Sequence, residues 1–129
     1  SLKGRSNILT RIRELIQNAK KDVLISTSVY DFEDKSRVLI PALEQAVKNN
    51  VRVKLSLMGS PEKIKKINSR FSLKAAPTDT DARIFISDRS EVLFMITSDT
   101  SEEEVGVWLN SPFFAESVSR MFEATTRIK

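Results

Sequence analysis

The sequence predicts an α/β fold, a mixed six-stranded sheet flanked by helices. Helix-period and strand-period segments alternate through the first half of the chain. The early strands are separated by helices, which implies parallel crossovers, and the last three strands follow one another across short gaps, which implies antiparallel neighbours.

Residues Ser6 to Lys20 read as an amphipathic helix, with Ile8, Leu9, Ile12, Leu15, Ile16 and Ala19 spaced by threes and fours and Ser6 as N-cap. Val23 to Ser28 is a β-branched strand with a polar end, and Tyr30 to Lys35 reads as a charged loop. A second helix runs from Ser36 to Asn49 on the stripe Val38, Leu39, Leu43, Ala46 and Val47, with Pro41 marking a start or a kink. Val51 to Met58 alternates as a strand. Ser60 and Pro61 then cap and open a short basic helix that ends near Ser69. Phe71 to Ala75 is a brief strand, followed by a loop from Pro77 to Thr80. Strands at Ala82–Ser87, Glu91–Thr97 and Val105–Leu109 come next, the first two close enough for a hairpin. Ser111 and Pro112 begin a last helix with an apolar face of Phe114, Val118, Met121, Phe122 and Thr125.

The 129 residues suit a single domain. Without cysteine there is no disulfide, thiolate nucleophile or zinc finger, and without histidine there is no imidazole relay or imidazole metal ligand. Catalysis would have to rest on carboxylates, Lys, Arg, Ser or Tyr. The net charge of +4 reads as a solvated surface, with Glu102-Glu103-Glu104 a compact acidic run. No apolar stretch reaches the roughly 20 residues of a membrane span, so a cytoplasmic protein without membrane contact is expected. Three glycines cannot supply GxGxxG or GxxxxGK[ST], which excludes those nucleotide loops. Asp79, Asp81, Asp88 and Asp99 read as loop acids, not a metal site, and no cofactor is expected.

The informative segment is Asp81-Ala82-Arg83-Ile84-Phe85-Ile86-Ser87-Asp88, a D-x-R-x4-D pattern at a strand. It resembles the H-x-K-x4-D motif of the phospholipase D superfamily, with Asp81 in place of the His, Arg83 in place of the Lys and Asp88 matching the Asp. The family's Gly-Ser pair falls on Met95-Ile96 and is missing. In that family the His is the nucleophile; a carboxylate there would repel a phosphodiester oxygen. The resemblance therefore implies a phospholipase D-like half-domain that has lost phosphodiester cleavage.

Three further segments resemble the C-terminal part of TrmB-like archaeal transcriptional regulators: Asp88 to Leu93, Val105 to Pro112, and the phenylalanine-rich last helix to Phe122-Glu123. That resemblance runs from Ile8 onward. It implies a regulatory domain, residues 1–129, whose N-terminal winged-helix DNA-binding domain is missing, with DNA contacted only through that missing part. It also implies a small-molecule effector, a sugar or metabolite, and a homodimer formed through the sheet edge or the wide apolar stripes of the first and last helices.

Among individual residues, Asp81 and Arg83 share a strand face at i, i+2 and read as a polar pocket, an ion pair or a solvated edge. Ser26 and Ser28 lie at the carboxyl end of the first strand, where ligands gather in open α/β sheets, although strand-end hydrogen bonding accounts for them as well. Trp108 reads as a core or interface anchor with one acceptor for its indole N–H, and Asn110 as turn chemistry. Together Ser26, Ser28, Asp81, Arg83, Asp88, Trp108 and Asn110 form the candidate ligand-binding set. Two other functions stay open: a divergent phospholipase D-like phosphodiesterase or nuclease, and a protein-interaction module without a ligand.

Overall fold

The computed structural model describes residues 1–127, with side chains described through Ala124. The elements in chain order are β1 (Leu2–Lys3), α1 (Arg5–Gln17), β2 (Asp22–Ser28), α2 (Val29–Asp34), α3 (Ser36–Lys48), β3 (Arg52–Met58), α4 (Pro61–Arg70), β4 (Ala75–Pro77), β5 (Ile84–Ser87), β6 (Glu91–Met95), β7 (Val105–Asn110) and α5 (Pro112–Arg127). The strands form one mixed sheet in the order β1-β7-β6-β5-β2-β3-β4. The expected six strands are therefore seven. The addition, β1, is two residues long and pairs antiparallel with β7, too short to show a period of its own.

The expected crossovers hold: β2, β3 and β4 run parallel. β5 is antiparallel to β2, and β6 and β7 continue the antiparallel half. Because the chain steps twice in the same direction with crossovers of one hand, α2, α3 and α4 fall on one face. Joined by α1, they bury Val23, Ile25, Leu55, Leu57, Phe85 and Leu93. The other face carries α5 over Ile84, Ile86 and Val92, with Ala115, Phe114, Val118 and Phe122 facing the sheet. Thr125, expected on that stripe, has its side chain outside the described residues.

Several local expectations change. α1 begins at Arg5 with Gly4 as N-cap, so Ser6 lies inside the helix. Residues 30–34, expected as loop, belong to α2, and the brief strand starts at Ala75, not at Phe71. Pro41 sits within α3, whereas the caps at Ser60 and Ser111 form as expected, with Oγ accepting from Lys63 N–H and Phe114 N–H at 3.2 Å each. No helix among the described residues is long and apolar enough to cross a membrane.

Candidate functional site at the carboxyl edge of the sheet

β2 and β3 end side by side at Ser28 and Met58, and the antiparallel β5 starts beside them, Ile84 opposite Ser26. Arg83 immediately precedes β5 and so lands at the carboxyl edge, buried with a side chain 2% exposed. The next segment across that edge is α2. Ser28 caps it, its Oγ accepting from Asp31 N–H at 3.0 Å, which points the Asp31 side chain back over the sheet. Gly59, at the end of β3, lets α2 start close by: a Cβ there would lie 2.6 Å from Val29 Cγ2.

Asp31 is the hub of the site. Its Oδ1 accepts from Lys35 Nζ at 2.5 Å and from the Arg83 guanidinium at 3.1 Å, and its Oδ2 accepts from Thr27 Oγ1 at 2.6 Å. The i, i+4 spacing of a helix brings Lys35 onto Asp31. Glu104, at the end of the β6–β7 loop, accepts from Lys35 at 2.8 Å and stands 3.9 Å from Arg83. Two cations and two carboxylates thus balance in a buried quartet. Arg83 also donates to the carbonyls of Thr97 at 2.7 Å and Ser98 at 3.1 Å, and Ser28 Oγ donates to Asp99 at 2.5 Å. The β6–β7 loop is therefore strapped over the carboxyl edge by side chains from three other segments.

Asp34 extends the network outward, paired with Arg5 and 3.7 Å from Lys35. Burial pushes the Asp34 carboxyl up, but the hydrogen bond and charge of Arg5, with Lys35 beside it, outweigh burial and hold it below the ordinary carboxylate value. Asp31, Asp34 and Glu104 place carboxylate oxygens within 4.8 Å of one another, the spacing of a metal site. Lys35 Nζ lies among them at 2.5, 3.7 and 2.8 Å, so an ammonium takes the place that a cation would need.

The structure divides the residues singled out from the sequence. Ser26, Ser28 and Arg83 do gather at the carboxyl edge; Ser26 Oγ is completely buried and without a hydrogen-bond partner. Asp81 is exposed and does not pair with Arg83. The shared face expected of i and i+2 requires a strand, and β5 starts only at Ile84. Asp88 lies at the opposite, amino edge. There its carboxylate accepts from the backbone N–H groups of Lys20, Lys21 and Asp22 at 3.0, 2.7 and 3.1 Å. Asn110 is exposed at that same edge, paired with Glu91. Trp108 is half-buried, donating to Glu91 Oε1 at 3.3 Å under the Arg11 guanidinium, 4.7 Å from the ring centre.

Asp31, Lys35 and Glu104 escaped the sequence reading. Two local signals pointed to α2: Ser28 three residues before Asp31, and Asp31 four residues before Lys35. Nothing local singled out Glu104 from its two acidic neighbours.

The family model described as "Transcriptional regulator TrmB, EBD N-terminal subdomain" matches residues 1–127. No curated protein matches the chain. Among solved structures, TrmBL2, an archaeal chromatin protein whose structure shows a novel mode of DNA binding, superposes with a TM-score of 0.74 at 19% identity over 95% of this chain. This chain spans 49% of that protein, about half its length. Nuc from Salmonella typhimurium, a phospholipase D family member, superposes with a TM-score of 0.71 at 18% identity over 95% of this chain and 90% of its own. NucT from Helicobacter pylori gives 0.68 at 10% identity over 93% and 87%. These likenesses show a phospholipase D-like fold.

Proposed function

The chain belongs to the TrmB effector-binding-domain family, in its N-terminal subdomain, and from that membership we propose that it is the non-catalytic regulatory domain of a transcription regulator. It senses a small effector and pairs with a second copy of itself. DNA is read by a winged-helix domain elsewhere in the full protein, which translates a changed dimer geometry into altered half-site spacing.

The observation that carries this reading is the state of the carboxyl edge. On the phospholipase D-like framework, the motif position of the nucleophile holds Asp81, an exposed carboxylate, and the chain has no histidine to replace it. Arg83, at the position of the motif's Lys, is engaged by Asp31, Thr97 and Ser98 from within the protein. A phosphodiester approaching this edge meets negative charge where it needs a nucleophile and a cation already neutralised. Such a centre supports retention of the framework for shape and assembly.

The reading is tested with the purified domain in three assays. Bis-nitrophenyl phosphate should not be turned over; turnover abolished by Asp81→Ala would instead establish a phosphodiesterase. Light scattering at tens of micromolar should give a dimer, and a monomer there removes the dimerisation part. A thermal-shift screen of sugars, organic acids and phosphorylated metabolites should find a stabilising compound, worth about 2.7 kcal/mol at one hundred times its dissociation constant. A silent screen of wide coverage would leave an interaction module without a ligand.

A further inference from the structure

The two faces of the sheet are unevenly covered. Among the described residues, one lies under four helices, whereas on the other only α5 packs, beside β3 and β4. Between the C-terminal half of α5 and these strands runs a groove of about 710 Å³, within the roughly 300–1,000 Å³ usual for small-molecule sites. Its apolar lining includes Leu24, Ala76 and Phe122. Lys54, Lys74 and Arg120 stand around it as cations, with Glu123 as the lining carboxylate.

Among the described lining residues the balance of charge is positive. Glu123 accepts from Lys54 at 2.9 Å and from Arg89 at 2.5 Å, so its charge is shared with a cation outside the groove. Lys74 Nζ donates to a neutral group, the Asn68 carbonyl, at 2.7 Å. Arg120 reaches Glu116 through Nε at 3.1 Å, and its side chain is 76% exposed. An independent observation comes from the sheet. Ser26, Ser56 and Ala76 form one row in register across β2, β3 and β4. Ser56 and Ala76 line the groove, while Ser26, one strand further in, carries the completely buried and unpartnered hydroxyl. An unmet buried hydroxyl costs about 1–3 kcal/mol; this one lies in the row beside the groove and is not part of its lining.

We propose that this groove on the α5 face is the effector site of the domain and that it takes a small amphipathic organic anion. The apolar body lies on Leu24, Ala76 and Phe122, and the anionic head meets Lys54, Lys74 and Arg120. The proposal rests on the effector-sensing reading above and moves the site away from the carboxyl edge, which the protein's own side chains fill.

The experiment titrates the domain with 8-anilinonaphthalene-1-sulfonate, an amphipathic aryl sulfonate, and competes the bound probe with decanoate, decanol and inorganic phosphate. One saturable site per chain is expected. Decanoate displaces the probe, and equal concentrations of decanol or phosphate do not. Replacing both Lys74 and Arg120 by Ala weakens probe and decanoate at least tenfold while the near-ultraviolet circular dichroism and unfolding midpoint stay unchanged. Replacing both Lys63 and Lys66, exposed on α4, changes neither affinity. Absence of saturable binding, competition by decanol equal to that by decanoate, or unchanged affinity in the Lys74/Arg120 variant overturns the assignment. If the metabolite screen yields a stabilising compound whose effect survives in that variant, the groove is wrong and the effector reading stands. If no compound stabilises the domain, the effector reading itself falls.

Discussion

Arg83 and Arg89 flank the same short strand, β5, yet they live in different electrostatic worlds. Arg83 is 2% exposed at the carboxyl edge, held by Asp31 and two backbone carbonyls. Arg89 is 31% exposed at the amino edge, in the β5–β6 turn, held by Glu123 at 2.5 Å, Glu116 at 3.4 Å and Asp22 at 3.6 Å. Burial works against the Arg89 charge, but the Glu123 hydrogen bond and the nearby carboxylates outweigh it and raise its pKa. Water competes for the Arg89 ion pairs. It is nearly shut out from Arg83 and Asp31. The same residue type is therefore a replaceable surface tie in one place and a fixed part of the core in the other.

Breaking that contrast starts with Arg83→Met, which leaves Asp31 and Glu104 buried with Lys35 as their remaining close cation. Loss of a partner from a buried ion network costs about 3–5 kcal/mol, and urea unfolding should read that loss; an unchanged midpoint would show that water already reaches the site. Next comes Asp88→Ala, which strips the acceptor from three backbone N–H groups at the start of β2. A drop of about 1–3 kcal/mol is expected, with Asp88→Asn recovering part of it. Arg89→Ala should cost less than about 1 kcal/mol and less still in high salt. A loss as large as that of Arg83→Met would erase the distinction between the two edges.

The finest effect is in pH dependence, and it joins the edges. Burial raises the Glu123 carboxyl, but hydrogen bonds and charge from Lys54 and Arg89 outweigh it and lower its pKa, as Arg5 and Lys35 do for Asp34. A carboxyl with a folded pKa below its unfolded value of about 4 stabilises the fold above that value. The stabilisation fades as the pH falls through the lower, folded pKa. Asp34→Asn and Glu123→Gln should each flatten the loss of stability on acidification below about pH 4, read from unfolding midpoints across a pH series. A slope unchanged in both variants would assign acid sensitivity to other carboxyls.

Much of the fold was legible because its long elements carry clear periods: α3 and β3 emerged from Leu39, Leu43 and Ala46 and from the alternation of Val53, Leu55 and Leu57. What stayed hidden was short. β1 has two residues and α2 has six, fewer than two helical turns, so neither displays a repeat. The candidate site was legible by halves. Ser28 and Arg83 stood out at strand ends, but the partners of Arg83 come from 52 and 14 to 15 residues away in sequence. Glu104 looked like the rest of a solvated acidic run until the fold carried it onto Lys35, 69 residues distant. Asp88 misled for a geometric reason: a motif that reads as one constellation in sequence spans β5, and the two ends of a strand are on opposite edges of a sheet.

The sealed, charge-balanced quartet of Asp31, Lys35, Arg83 and Glu104 also restricts how such a chain can drift. Any lone neutral replacement leaves the buried cluster with an unbalanced charge, whereas a matched loss of one acid and one base keeps it balanced and can even be neutral. Lineages that abandon this arrangement should therefore do so by coupled replacements, and an exchange of Lys35 and Glu104 together for apolar residues should be tolerated where either alone is not.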